Sequence, residues 1–248
     1  MKRLFIIILF SIFFLPSCDV LQEVAKTIEE PGNLPLTEQE VVQGLKEALR
    51  ISTDTAISIV SKTNGYFRDE LIKIYLPPEA SQIMKYKDNT MLQAVGISGL
   101  IDDVILRMNR SAENAAKSAT PIFANAIKSM TIQDAFAILN GSDTAATNYF
   151  RKKTYLQLKA SFKPKISNSL NQPLVGNISA GKAWTSLTKS YNDVAAIAGW
   201  QKVTTQLDEY VTRKALNGLF LKLSLEEKAI RRDPKARVTD ILRRVFGS

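Results

Sequence analysis

The chain has no histidine among its 248 residues and a single cysteine, Cys18. Without imidazole there is no serine–histidine or cysteine–histidine catalysis, no histidine metal site and no ordinary near-neutral proton shuttle. One thiol cannot form a disulfide within the chain. Neither a glycine-rich phosphate loop nor an acidic calcium loop is present. Carboxylates, lysines, tyrosines and hydroxyls remain for chemistry, with only oxygen ligands for a metal, so no metal and no cofactor are expected. Long apolar runs are scarce too. The one at Leu4–Leu15 is twelve residues long, against the roughly 20 that a helix needs to cross a bilayer core.

That run has Lys2 and Arg3 before it and Leu15-Pro16-Ser17-Cys18 at its end. The order is that of a secretory signal closing on a lipoprotein cleavage site. The thiol takes a diacylglyceryl group, and cleavage frees the amine of Cys18 for a further acyl chain. Each buried CH₂ contributes about 0.8 kcal/mol, so two or more chains anchor stably. The expectation is a cleaved signal at 1–17, a lipidated N-terminus and tether at 18–36, and a folded domain at 37–248. The protein would be held by its lipid in the cell envelope, facing the periplasm or at the outer membrane. The alternative is a plain signal peptide with an incidental cysteine.

Hydrophobic residues make up 45% of the chain and charged residues 23%, which is ordinary for a globular protein. Charge is unevenly spread. Residues 18–150 carry 12 basic and 17 acidic side chains, whereas residues 151–248 carry 19 basic and 7 acidic. A basic C-terminal half suits anionic lipid or an envelope polymer as partner, beside an unknown protein partner, and for an exported chain not nucleic acid. The plainer reading is that the two halves neutralise each other in the fold.

Helical signals dominate. Thr37-Glu38-Gln39-Glu40 reads as a capping box before an apolar stripe through Val41, Leu45, Ala48 and Leu49, and a second helical stretch, Asp54 to Lys62, stops at Asn64-Gly65. Residues 66–78 alternate weakly and read as an ordered loop over the core. Val104, Met108, Ala112, Ala115, Ala119, Phe123, Ala126 and Met130 mark one long helical face, with Pro121 kinking it or restarting it behind a Thr120 cap. Thr131 caps a short helix with a left-handed stop at Asn140-Gly141. The next helix, from Ala145, ends at Pro164. Further stripes run through Trp184, Leu187, Tyr191, Val194 and Ile197, then Leu207 to Leu223. Ser224-Leu225-Glu226-Glu227 reads as a new capping box, and Val238 to Phe246 as a last amphipathic turn or two. The sum is an all-α, single multi-helix domain of about eight to ten helices. Residues 165–177 are the one candidate boundary.

Two sets of polar residues stand out. Asn109, Arg110 and Glu113 lie close to the apolar stripe of the long helix, with Asp103–Arg107 and Glu113–Lys117 at pairing distance along it. They form either a ladder of surface pairs or a buried network that fixes helix register or lines a pocket. Thr147, Tyr149 and Arg151, with Arg231 and Arg237 near the C-terminus, are polar positions that could clamp an anionic or sugar ligand.

Met108-Asn109-Arg110-Ser111-Ala112-Glu113 resembles the central signature of domain-of-unknown-function family 4197, a family of exported bacterial proteins. Gly44-Leu45-Lys46-Glu47-Ala48-Leu49, Ala145-Ala146-Thr147-Asn148-Tyr149-Phe150, Phe162-Lys163-Pro164 and Ala215-Leu216-Asn217-Gly218-Leu219-Phe220 extend the likeness over roughly residues 37–247. Asp134-Ala135 with Gly141, Tyr210-Val211-Thr212, and Glu226-Glu227 with Ile230-Arg231 and Pro234 match it too. Ser111 stands where the signature leads one to expect alanine. The resemblance implies an exported single helical domain and supplies no catalytic residue.

The function expected is therefore that of a membrane-anchored envelope lipoprotein acting as a non-enzymatic binding or assembly module. The alternative is a histidine-free carboxylate enzyme on envelope glycan, with Glu113 or Glu226 as the acid. Acylation at Cys18 is testable directly. Cys18→Ser should shift the protein from the membrane fraction to the soluble envelope fraction or leave an uncleaved precursor. A substituted chain that is processed and still membrane-bound in high salt and carbonate would refute the lipoprotein reading.

Overall fold

The computed structural model describes residues 36–81, 97–173 and 178–246. The expected signal, Cys18 and nearly all of the expected tether lie outside the described residues. Backbone contacts separate Met1–Thr37 from one compact unit, Glu38–Ser248.

The described residues are all-α. Helix α1 spans Glu38–Ser61, α2 Ile97–Ala116, α3 Ala119–Lys128, α4 Ile132–Leu139, α5 Ala145–Asn171, α6 Ala180–Ala198 and α7 Leu207–Arg232. A 3₁₀ turn at Pro234–Ala236 leads to α8, Asp240–Phe246. β pairing among the described residues is confined to an isolated bridge between Pro173 and Ser179.

α7 lies at the centre, packed on α5, α1 and α2. Phe123 of α3, Phe150 of α5 and Phe220 of α7 meet edge to face, with ring centroids 5.1 and 6.1 Å from Phe123. Ala112, Ala115, Ala116 and Ala119 are completely buried, so neighbouring backbones approach α2 and the start of α3 closely. On α5 the buried residues Phe150, Thr154, Leu158, Phe162, Ile166 and Leu170 recur every fourth position. Four residues turn a helix by about 400°, so this stripe advances ~40° per step. It winds around α5 and is covered in turn by α2, α3, α6 and α7.

Several helices run through breaks expected from the sequence. α1 continues past residues 50–54, where the hydroxyls of Ser52 and Thr53 fold back on the carbonyls of Ala48 and Leu49, at 2.8 and 2.9 Å. Pro164 lies inside α5 rather than ending it. Pro164 and Ala160, whose carbonyl it deprives of an N–H, are both exposed residues, so the freed acceptor is open to solvent, while Ile166 and Leu170 beyond it are buried. α7 runs through Ser224, whose hydroxyl bonds to the Leu221 carbonyl instead of capping a new helix.

The long face of 101–130 breaks at Lys117-Ser118, by restart and not by kink, with Pro121 in the first turn of α3. The cap position is Ser118, not Thr120, and it makes no side-chain cap bond. Thr131 caps α4 as expected, and does so in a capping box with Asp134. The stop at Asn140-Gly141 is not left-handed, since Asn140 has φ −84° and positive φ among the described residues occurs only at Asn64 and Gly199. Ile197 and Val238, expected on apolar stripes, are exposed.

The expected ordered loop at 66–78 is found over the core, and it begins earlier, at residue 62. Tyr66 drives its ring between α2 and α7, entirely buried, and donates to the Ala215 carbonyl at 2.7 Å. A Cβ at Gly218 would lie 2.7 Å from Tyr66 Cε1 and 3.1 Å from Ile72 Cβ, so the helix needs a bare backbone there. Alanine at 218 would gain about 1 kcal/mol of helix propensity but lose ~1–3 kcal/mol to overpacking. Gly218→Ala should therefore lower the urea midpoint followed by circular dichroism. Pro164→Ala should raise it, by up to about 3 kcal/mol of stability. The reverse order would contradict this account of both helices.

Candidate functional site

The polar residues singled out on α2 form a buried network. Asn109 is wholly inaccessible and Glu113 is 4% exposed. Asn109 Oδ1 accepts from the Ile74 N–H at 2.9 Å, and its Nδ2 donates to the carbonyls of Ile74 (2.9 Å) and Ile105 (2.8 Å). Its amide treats Ile74 as a neighbouring strand would. Glu113 Oε1 accepts from the backbone N–H groups of Tyr66 (3.1 Å) and Phe67 (3.2 Å), and Oε2 from Arg110 at 2.6 Å. The other arm of Arg110 donates to Asn64 Oδ1 at 2.7 Å, holding the turn in which Asn64 adopts φ 68°. Burial, and then the negative charge of Glu113, pushes the Tyr66 phenol far above its ordinary value, so it stays a donor.

This is a network that fixes a loop on a helix. Of the two alternatives, the surface ladder survives only in its Arg110–Glu113 pair: Arg107 reaches the Pro173 carbonyl at 3.1 Å, and Glu113 faces the loop. Ser111 is buried and bonds the Met108 carbonyl at 2.7 Å, so the hydroxyl fits where alanine was expected.

Thr147 and Arg231 are brought together, by Glu227. Oε1 of Glu227 accepts from the Ala146 N–H at 2.9 Å and from Arg231 at 3.1 and 3.2 Å. Oε2 accepts from the Thr147 N–H and hydroxyl, both at 2.9 Å. Thr144, the cap residue of α5, makes no side-chain cap bond. Glu227 thus satisfies from another helix the donors that an N-cap side chain ordinarily takes, with its charge at the favourable end of the helix dipole. Arg231 meanwhile donates to the carbonyls of Ile138 (2.7 Å) and Leu139 (3.3 Å) at the end of α4. One Glu–Arg pair closes both sides of the α4–α5 connection.

Tyr149 belongs to neither cluster. It is half-buried, edge-on to Phe150, and its hydroxyl reaches the Ala126 carbonyl at 3.4 Å. Arg237 caps the end of α7 through the carbonyls of Ile230 and Arg231, at 3.1 and 3.0 Å. Arg151 lies apart, over the Phe220 ring. Glu227 is the residue that the sequence argument did not select. Its signal was there: it falls on the apolar stripe Leu216, Phe220, Leu223, Glu227, Ile230, one turn before Arg231.

A cavity of about 560 Å³ opens between the end of α5, the start of α6 and residues 203–208, lined by Trp184, Thr188, Asn171 and Asp208 among others. Neither Glu–Arg pair lines it. A family model described as a protein of unknown function (DUF4197) matches residues 35–247. The chain belongs to this family. Three of the segments that carry the resemblance build the two clusters: Met108–Glu113 holds the loop, while Ala145–Phe150 and Glu226–Arg231 meet at the second pair. No curated protein and no solved structure matches the chain.

Truncating either acid leaves two backbone N–H groups without their acceptor and an arginine without its partner, Arg110 one third exposed at 33% and Arg231 more deeply set at 13%. Glu113→Ala and Glu227→Ala should each cost on the order of 3–5 kcal/mol. The isosteric Glu→Gln changes, which keep an acceptor oxygen, should cost about 1–3 kcal/mol. Urea unfolding monitored by circular dichroism measures both. Losses below about half a kcal/mol at either site would mean that the pair is not structural.

Proposed function

We propose that the chain is a membrane-anchored envelope lipoprotein whose helical domain binds or assembles and does not catalyse. Anchoring is supported by the signal-like N-terminus and the lone thiol at Cys18. The non-enzymatic reading is supported by one observation above others: the two most buried acids, Glu113 and Glu227, have both carboxylate oxygens filled by backbone N–H groups and an arginine. A general acid needs a proton to give and an open side toward its substrate. With both oxygens of each already accepting, these two have no open side.

Glu226 is the carboxyl left to the alternative, an enzyme acting on envelope glycan. It is half-buried, and burial pushes its carboxyl above the ordinary 4.5 while Lys222 pulls it back. The sign of its contribution follows. A group whose pKa is raised by folding helps the folded state below about 4.5, and that help is lost as pH rises through the higher folded value. Glu226→Gln should therefore stabilise the domain at neutral pH, with the gap closing as pH falls toward 4.5. In cells whose own copy is deleted, a Glu226→Gln copy should restore whatever the wild-type copy restores, and a Cys18→Ser copy should not. A Glu226→Gln protein that folds normally yet rescues nothing would favour the enzyme.

A further inference from the structure

We propose that the groove between α5 and α7 is a binding site for the phosphate group of an anionic ligand. Asn148, Arg151, Lys152 and Tyr155 recur at steps of three and four along α5 and share one face, and Arg213 and Asn217 face them one turn apart on α7. Together they line an open concavity of about 520 Å³, and no carboxylate lines it. The inference rests on the binding-module reading and names the ligand class that such a module would take.

The distribution of counter-ions singles this groove out. Further along α5, Lys159 and Lys163 are both held by Glu209, at 2.5 and 3.1 Å, and on α7 Lys222 and Arg232 are held by Asp69 and Asp143. No ion pair among the described residues takes up Arg151, Lys152 or Arg213. Asp134 feels Lys152 and Lys153, but its carboxylate accepts from the Thr131 backbone in the α4 cap and does not line the groove. Arg151 is also held in place. Its guanidinium stacks 4.5 Å from the Phe220 ring centroid and donates to Asn217 Oδ1 at 3.3 Å. An arginine fixed in this way loses less freedom on binding, and its planar fork matches phosphate oxygens.

Cationic forks beside amide and hydroxyl donors suit a phosphate, which brings several acceptor oxygens and more than one charge. The openness of the groove suits a phosphate presented from a surface or free in solution. The group could come from an anionic lipid headgroup or from inorganic phosphate, and the chemistry of recognition is the same.

The test uses the full chain in neutral detergent with arginine side chains labelled for magnetic resonance. On titration with inorganic phosphate, the Nε–H signals of Arg151 and Arg213 should shift together and saturate. The double variant Arg151→Gln, Arg213→Gln should weaken phosphate binding by about tenfold or more by calorimetry. Lys228→Gln with Lys235→Gln removes the same charge elsewhere and should leave it unchanged. Micelles doped with phosphatidylglycerol, but not with phosphatidylcholine, should displace phosphate if the natural source is a lipid headgroup; displacement by neither supports free phosphate. Absence of a saturable shift, or equal weakening in the lysine control, overturns the proposal. Its failure leaves the non-enzymatic reading intact, because that reading is decided by the Glu226 rescue.

Discussion

Residues 62–76 lie across α2 and α7 with no strand beside them, and a buried backbone amide left unpaired costs about 1–3 kcal/mol. Everything else in the domain accommodates that segment. Asn109 supplies both partners of Ile74, and Glu113 supplies the acceptor for Tyr66 and Phe67. The same solution recurs on α6, where the Asn192 amide pairs both the N–H and the carbonyl of Val203, at 2.7 and 2.8 Å. Helix side chains here do the work that a neighbouring strand does in a sheet. An all-helical domain can then bury irregular chain without leaving it unsatisfied.

The two Glu–Arg pairs extend this logic to helix ends. Burying an ion pair stabilises little by itself, because desolvation offsets attraction. What the pairs provide is position. Glu113 fits only if the amides of residues 66 and 67 converge on one oxygen while Arg110 reaches back to Asn64, so the loop has one register. Glu227 fits only if the first turn of α5 and the last turn of α4 stand on either side of it. That in turn places Phe150 against Phe123, and Gly218 beneath Tyr66. The packing of the core and the placing of the carboxylates are one constraint seen from two sides.

This explains which parts of the structure a reading of the sequence reached. The all-α class followed from apolar periodicity, while polar residues beside an apolar stripe left the Asn109–Arg110–Glu113 set open between a surface ladder and a buried network. Their partners did not follow, because backbone N–H and C=O groups are the same at every residue and carry no mark in a sequence. Asn109 meets Ile74 across 35 positions, and Glu227 meets Ala146 across 81. The errors have a common cause. Pro164 and Ser224-Leu225-Glu226-Glu227 are local signals for a helix end, but tertiary contacts decided otherwise. The buried Ile166 and Leu170 outweigh one missing hydrogen bond, and Glu227 faces another helix instead of its own backbone.

Charge follows the same division between inside and outside. Acids of the N-terminal half do reach bases of the C-terminal half, through Asp69 and Lys222, Asp143 and Arg232, and Glu40 with Arg244 at 3.8 Å. This neutralisation is local to the latter half of α7 and to α8. The two most buried acids face arginines of their own helices, Arg110 and Arg231, and so contribute nothing to screening the outer surface. Arg151, Lys152 and Arg213 are left outside the ion pairs among the described residues, where the start of α5 faces α7 and beyond the reach of Glu209, which holds Lys159 and Lys163. A fold that commits its acids to holding backbone in place thus exposes a positive face as a consequence of its own architecture.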